Sequence, residues 1–217
     1  KANGFELKSG HTIHIACDTT EMEPVVKSAL KMLVNDFQAV LSSDVCIGKE
    51  GNIIINKDTT LLDKRKEAFQ LKDSDDQLYV TGSDAHGVAY GILEISRLIG
   101  VSPWEWWADV MPLKRSSFSL ANGYVNLQAP SVEFRGIFIN DEDWGLMPWS
   151  SLHYEPWHKP GRIGPKTNAR IFELMLRLRA NTYWPAMHEC TQPFFLTQGN
   201  REVAEQYGIY IGGSHCE

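Results

Sequence analysis

The sequence contains neither a long apolar run nor a basic cluster, and each absence excludes a class of protein. A membrane-spanning helix needs about 20 consecutive apolar residues, and no segment of the 217-residue chain approaches that length. The formal net charge of −6 argues against nucleic-acid binding, because nucleic acids are bound through basic surfaces. Hydrophobic residues make up 43% of the chain and charged residues 22%, which is typical of a globular protein.

Cysteine is scarce, and its spacing fits neither a metal site nor a disulfide scaffold. The four cysteines are Cys17, Cys46, Cys190 and Cys216, and no two of them form a C-x-x-C pair. We expect mostly buried thiols, with a single disulfide as the open alternative. No cofactor is predicted.

The sequence also lacks a glycine-rich phosphate loop. Residues 82–87 (GSDAHG) lie between a predicted strand and a predicted helix, as a dinucleotide-binding loop would, but without the G-x-G-x-x-G spacing. A tight turn with a helix cap at Ser83 or Asp84 is therefore the favoured interpretation.

The hydrophobic pattern of the first half predicts a small α/β domain over residues 1–115. Apolar residues alternate in the predicted strands and recur at helical spacing in the predicted helices. We expect a sheet that is mostly covered by helices, followed by a connector at 116–131 that holds a short polar strand near 116–127. The predicted elements are a strand at 11–17, a helix at 22–41 capped by residues 18–20, a strand at 53–55, a hairpin at 67–81 and a helix at 85–98.

The pattern of the second half predicts the first strands of a (β/α)8 TIM barrel over residues 132–217, incomplete in this chain. Strands and helices alternate, and polar residues follow each strand, as at the carboxyl face of such a barrel. A doubly wound sheet is the alternative, although that fold usually carries a nucleotide loop. The predicted elements are strands at 133–139, 181–186 and 207–213 and helices at 168–180, with Asn168 as the cap, and 199–206.

Acids, histidines and a tryptophan after these three strands are the candidate site. Hydrolysis of a glycosidic bond needs two carboxyl groups, and histidines can bind a substrate carboxylate or hydroxyls. For the first acidic run, a catalytic site and a solvated turn remain equally open. A metal site at the second and third strand ends is less favoured, because no tight ligand spacing occurs. The candidates are Asn140, Asp141, Glu142, Asp143 and Trp144 after the first strand, His188 and Glu189 after the second, and His215 and Glu217 after the third.

Two other groups of residues have a structural interpretation. Arg135 lies inside an apolar strand, where we expect an ion pair with a carboxylate. Trp104, Trp106 and Trp107 form a cluster, and packing at a domain interface is favoured over stacking on a sugar.

The run from Phe134 to Trp144 resembles the first barrel strand of glycoside hydrolase family 115. Four further segments are similar to that family, and the resemblance extends from Gly10 almost to the end of the chain. The strand and the Trp cluster are its specific parts. The four segments are 100–110, 161–165, 181–188 and 213–217.

The resemblance implies an inverting α-glucuronidase that removes α-1,2-linked glucuronic acid, or its 4-O-methyl ether, from glucuronoxylan or its oligosaccharides. It implies a hexosaminidase-like amino-terminal domain, a barrel and further domains. This chain would then be one inactive part of a periplasmic or secreted enzyme. A homodimer formed through other parts of that enzyme is a further expectation. The alternatives are a non-catalytic carbohydrate-binding fragment and a glycosidase of other specificity, such as a hexosaminidase-like enzyme. The resemblance implies catalytic roles for Glu142 and Glu217, without assigning acid and base, and substrate binding by Asn140, Asp141, Trp144, His188 and His215.

Overall fold

The computed structural model describes residues 4–139, 144–156, 162–186 and 191–213. Two compact units divide the chain between Glu133 and Phe134. No helix in these ranges is both long and apolar enough to span a bilayer.

The first unit is a mixed α/β domain. Its elements in chain order are β1 (Glu6–Lys8), β2 (Ile13–Ala16), α1 (Pro24–Leu41), β3 (Val45–Gly48), β4 (Ile53–Lys57), the single turn α2 (Leu61–Lys64), β5 (Phe69–Ser74), β6 (Gln77–Gly82), α3 (Ala85–Ile99), β7 (Ser117–Ser119) and β8 (Val125–Gln128).

The main sheet of this unit has the strand order β3-β2-β4-β6-β5-β8 within the described ranges. Strands β3, β2, β4 and β6 run parallel to one another, whereas β5 is antiparallel to both of its neighbours, β6 and β8. Helices α1 and α3 pack on each other, and α3 packs on β4, β5 and β6. On the other face Tyr79 is half-buried, and Val125 and Leu127 are exposed. The structure therefore covers one face, which differs from the mostly covered sheet expected from the pattern.

The predicted face of α1 is confirmed, but its predicted cap is wrong. Every apolar residue assigned to that face, from Val26 to Leu41, is buried. The helix begins at Pro24 after Glu23, without a side-chain cap. Proline at the first helical position has its φ angle preset for a helix and no N–H to satisfy. Asp18 instead accepts the backbone N–H of Thr20 at 3.0 Å and its hydroxyl at 2.7 Å.

The predicted turn and cap before α3 are confirmed. Asp84 Oδ1 accepts the N–H of Gly87 at 2.8 Å, and Oδ2 accepts the N–H of Glu67 at 2.8 Å. A Cβ atom at Gly82 would lie 2.1 Å from the backbone nitrogen of Val88, and one at Gly87 would lie 2.1 Å from a backbone oxygen. Close backbone packing therefore accounts for both glycines of the GSDAHG segment without a phosphate.

The segment predicted as a connector contributes strands to the first unit. β7 pairs with β1, and β8 pairs with β5 at the edge of the main sheet. Glu94 of α3 is buried, and its carboxylate accepts from Arg97 at 2.6 Å and from Asn126 of β8 at 3.0 Å. The sequence predicted a short polar strand near 116–127 but not its partners, because these strands are held by backbone pairing and by one buried carboxylate.

The two described cysteines are not buried, so that expectation is wrong for them. Cys17 is half-buried and Cys46 is exposed, and both are free thiols. Cys190 and Cys216 lie outside the described residues.

The second unit is also mixed α/β, and its predicted order of strands and helices is found. Its elements are β9 (Gly136–Phe138), α4 (Leu146–Trp149) continued by a π-helical turn (Ser150–Tyr154), α5 (Pro165–Arg177), β10 (Thr182–Trp184), a 3-10 turn (Phe194–Leu196), α6 (Asn200–Tyr207) and β11 (Tyr210–Ile211).

Its strands form a parallel sheet in chain order, β9-β10-β11, in the described part of the chain. An aromatic cluster joins this sheet to its helices. The ring of Phe172 in α5 lies 5.4 Å from that of Tyr183 in β10 and 6.3 Å from that of Tyr207 in α6. Helix α5 therefore packs on the sheet through the buried ring of Phe172, and α6 packs on α5 through Tyr207.

Candidate active site

Most of the predicted site residues lie outside the described residues. Trp144 is described, and its side chain is 91% exposed. The candidates whose structure is not described are Asn140, Asp141, Glu142, Asp143, His188, Glu189, His215 and Glu217.

The described strand ends show where the candidate segments begin. Backbone hydrogen bonds continue past the strands, from Ile139 N to Trp184 O at 2.9 Å and from Gly212 N to Tyr183 O at 2.9 Å. Because all three strands are parallel, their carboxyl ends lie at the same end of the sheet. In sequence, each of the three segments that carry the predicted candidates follows one of these strand ends.

Aromatic rings cover the face of this sheet opposite α5. Phe138 and Trp184 meet edge to face, with ring centroids 6.0 Å apart, and they are 49% and 42% exposed. A Cβ atom at position 212 would lie 2.0 Å from Trp184 Nε1, so Gly212 makes room for the indole. Exposed rings of this kind can stack on a sugar or pack against further protein. The sequence placed Trp184 in a strand and did not identify it as a candidate. Strand alternation, which puts it on the face opposite the buried Tyr183, is the signal that could have found it.

A buried carboxylate anchors the long loop after β9. Glu155 is fully buried, and it accepts the N–H of Lys166 at 3.0 Å, the N–H of Thr167 at 2.8 Å and the hydroxyl of Thr167 at 2.7 Å. These groups belong to the first turn of α5, whose amide groups and dipole favour a negative charge. A Cβ atom at Gly164 would lie 2.5 Å from Glu155 Oε1, so the carboxylate rests against that glycine. Glu155 thus takes the position at this helix terminus that a bound anion takes elsewhere.

This contact explains why the predicted cap of α5 is wrong. The helix begins at Pro165, and Asn168 lies inside its first turn, buried rather than at the boundary. Glu155, which is ten residues upstream of the helix, satisfies the terminal N–H groups that a cap residue would satisfy. No local motif signals a cap supplied from that distance.

Arg135 holds the start of β9 to the turn before β10. Its Nε donates to the carbonyl of Arg179 at 2.9 Å, and its backbone N–H donates to Asn181 Oδ1 at 2.9 Å. The Nε contact is to a backbone carbonyl, and the ion pair with a carboxylate expected from the sequence stays a prediction.

A charged cluster lies along α5 and the neighbouring helix. Arg170 pairs with Glu173 at 2.8 Å, and the hydroxyl of Tyr207 donates to the same carboxylate at 3.1 Å. Burial first, and then the negative charge of Glu173, raise the pKa of Tyr207 far above its ordinary value. The hydroxyl therefore stays protonated and ties α6 to α5. No group of three or more potential metal ligands occurs among the described residues.

Comparison with known proteins places the chain among the glycoside hydrolases. Residues 127–217 match the model of glycosyl hydrolase family 115. A solved family 115 4-O-methyl-α-glucuronidase, described as having specificity for decorated arabinogalactans, is 57% identical, with a TM-score of 0.92 over 98% of this chain and 30% of that one. This chain belongs to glycoside hydrolase family 115.

More distant structures share the fold alone. A family 20 exo-β-N-acetylglucosaminidase from Vibrio harveyi is 16% identical, with a TM-score of 0.59 over 97% of this chain and 33% of that one. A β-N-acetylhexosaminidase from Bacteroides fragilis is 14% identical, with a TM-score of 0.57 over 96% of this chain and 40% of that one. This chain therefore spans less than half the length of each of these structures. No curated protein matches it.

Proposed function

We propose that this chain is part of a periplasmic or secreted α-glucuronidase that removes α-1,2-linked glucuronic acid, or its 4-O-methyl ether, from xylan with inversion. The observation that carries the proposal is the 57% identity, over 98% of this chain, to a family 115 4-O-methyl-α-glucuronidase. The barrel is part of the same proposal. Its support is the parallel sheet of β9, β10 and β11, in which strands adjacent in sequence are adjacent in space.

We propose Glu142 and Glu217 as catalytic residues, since they come from the first and third strand ends. An inverting enzyme holds its two carboxyl groups about 6.5–9.5 Å apart so that a water molecule fits between them and the sugar. The first and third strands of a three-stranded sheet lie about 9–10 Å apart, which is twice the usual spacing between paired strands. The order of the sheet therefore supports this pair. Substrate binding is assigned to Asn140, Asp141, Trp144, His188 and His215.

A second candidate substrate comes from the same comparison. The similar 4-O-methyl-α-glucuronidase is described as specific for decorated arabinogalactans. We therefore propose an uronic acid linked to an arabinogalactan as the alternative to glucuronoxylan. The two differ in the sugar that follows the scissile bond, not in the group removed.

The test compares the complete natural polypeptide with the 217-residue chain on both polysaccharides. We expect the complete polypeptide to release uronic acid from one of them and the short chain to release none, because further barrel strands are needed for the pocket. Proton NMR during the first minutes shows the anomer released, and an α-linked substrate should give the β-anomer if the enzyme inverts. Release from neither polysaccharide, combined with retention of the short chain on a xylan column, would support a binding fragment instead.

A further inference from the structure

Two buried asparagines connect the loops that precede α5 and α6. The amide nitrogen of Asn168 donates to the carbonyl of Gly164 at 3.1 Å, to that of Ile163 at 3.4 Å and to Asn200 Oδ1 at 3.1 Å. The amide nitrogen of Asn200 donates to the carbonyl of Ile163 at 3.2 Å and to that of Phe194 at 3.1 Å. Both side chains are 1% exposed. The carbonyl of Ile163 thus receives both amides and joins the two loops.

The two joined loops are those that lead from the carboxyl ends of the strands to the helices. The first follows β9 and ends at Gly164, and the second follows β10 and carries the 3-10 turn Phe194–Leu196. Hydrogen bonds from buried amides to loop carbonyls are costly to lose, because each buried carbonyl would be left without a donor and out of reach of water. The asparagine pair therefore fixes one loop relative to the other.

The other end of the Asn168 side chain has a different environment. The acceptors around Nδ2 fix the orientation of the amide, because turning it over would place Oδ1 against carbonyl oxygens. Oδ1 is buried and has no hydrogen-bond partner among the described residues. It borders a cavity of about 10 Å³, which is also lined by Thr191, Gln192 and Asn200. A cavity of about this size with several polar neighbours suits one water molecule.

We propose that Asn168 and Asn200 are positioning residues for the proposed substrate pocket, and that Asn168 Oδ1 binds one buried water molecule in this cavity. The inference rests on the proposed function for what the loops do, and on the described contacts for how they are held. The asparagines touch no substrate. They fix the loops that follow the carboxyl ends of the strands, where we place the substrate pocket. The water extends the network from α5 to residues 191–192.

The experiment uses the complete natural polypeptide with Asn168→Ala and Asn200→Ala. Amide hydrogen exchange across residues 191–199 should become about 10-fold faster or more, since the loop opens locally once its tie is lost. Turnover of the polysaccharide that the wild type degrades should fall by about 10- to 100-fold in kcat, because small displacements of a pocket wall carry large kinetic costs. Asn168→Asp keeps the shape but lacks the donating amide, so it should behave like the alanine variant at neutral pH.

Val40→Ala in α1 is the control for a loss of stability alone, since Val40 is buried in the first unit. It should lower the melting temperature while leaving kcat and the exchange of residues 191–199 unchanged. Unchanged exchange in Asn168→Ala overturns the inference, as does faster exchange with unchanged kcat. A wild type that is inactive on both polysaccharides, with faster exchange in the variant, overturns the proposed function and supports the loop tie. A crystal structure with a dry cavity beside Asn168 overturns the water site.

Discussion

Replacing Glu155 by alanine should release the start of α5. The substitution removes the acceptor of two backbone N–H groups and one hydroxyl, at distances of 2.7–3.0 Å. Each buried donor left without a partner costs about 1–3 kcal/mol. Lys166 is exposed, so its N–H can turn to water, whereas Thr167 is buried and cannot do so easily.

The net magnitude follows from these opposing contributions. The hydrogen bonds to a charged acceptor favour the folded loop, but burial of the carboxylate costs several kcal/mol, so only part of the gross energy is lost. We expect the local opening free energy at α5 to fall by about 3 kcal/mol, which corresponds to roughly 100-fold faster amide exchange. Glu155→Gln keeps one acceptor oxygen and should lose about half as much.

The assay is residue-resolved hydrogen exchange at the amides of Lys166 and Thr167 in the complete natural polypeptide. Glu205→Ala is the matched control, because it removes the same charge from an exposed pair with Arg201 in the same unit. Exposed pairs of this kind contribute about 0–1 kcal/mol, so the control should exchange like the wild type. Exchange at Thr167 that is equally slow in Glu155→Ala would refute the anchoring argument.

Three other perturbations test separate parts of the structure. Gly136→Ala should break the pairing of β9 with β10 and abolish folding of the second unit by circular dichroism, because its Cβ would lie 1.7 Å from a backbone carbonyl of β10. A thiol reagent at pH 8 should modify the exposed Cys46 faster than Cys17, because burial and then a neighbouring carboxylate raise the pKa of the Cys17 thiol; equal rates would contradict this. The hydrogen bond from Lys57 lowers the pKa of Glu23, so its stabilising effect should be present at neutral pH and be lost as the pH falls below the ordinary pKa of a glutamate and through the lowered one. Lys57→Met should raise the pKa of Glu23 measured by NMR and make the free energy of unfolding depend less steeply on pH in the acid range.

The sequence predicted regular elements well where one side chain pattern controls them. The apolar face of α1 and the cap of α3 at Asp84 depend on residues within the element itself, and both are confirmed. It failed where the partner is distant in sequence. The start of α5 depends on Glu155, and the place of the predicted polar strand in the main sheet depends on β5 and on Glu94.

The candidate site divides in the same way. The motif from Phe134 to Trp144 identified the family from residue types in order, and the comparisons confirm that identification. The positions of Glu142 and Glu217 stay a prediction, because they lie outside the described residues.

The sequence by itself determined the family, the alternation of strands and helices and the faces that the helices bury. Local periodicity and motif residues carry that information, since they need no knowledge of distant partners. Only the tertiary structure decided that the Asn168 amide meets Asn200 and that Glu155 supplies the cap of α5. Each of these contacts joins groups that are brought together by the fold, and the low-dielectric burial that makes them strong exists only after the chain has packed.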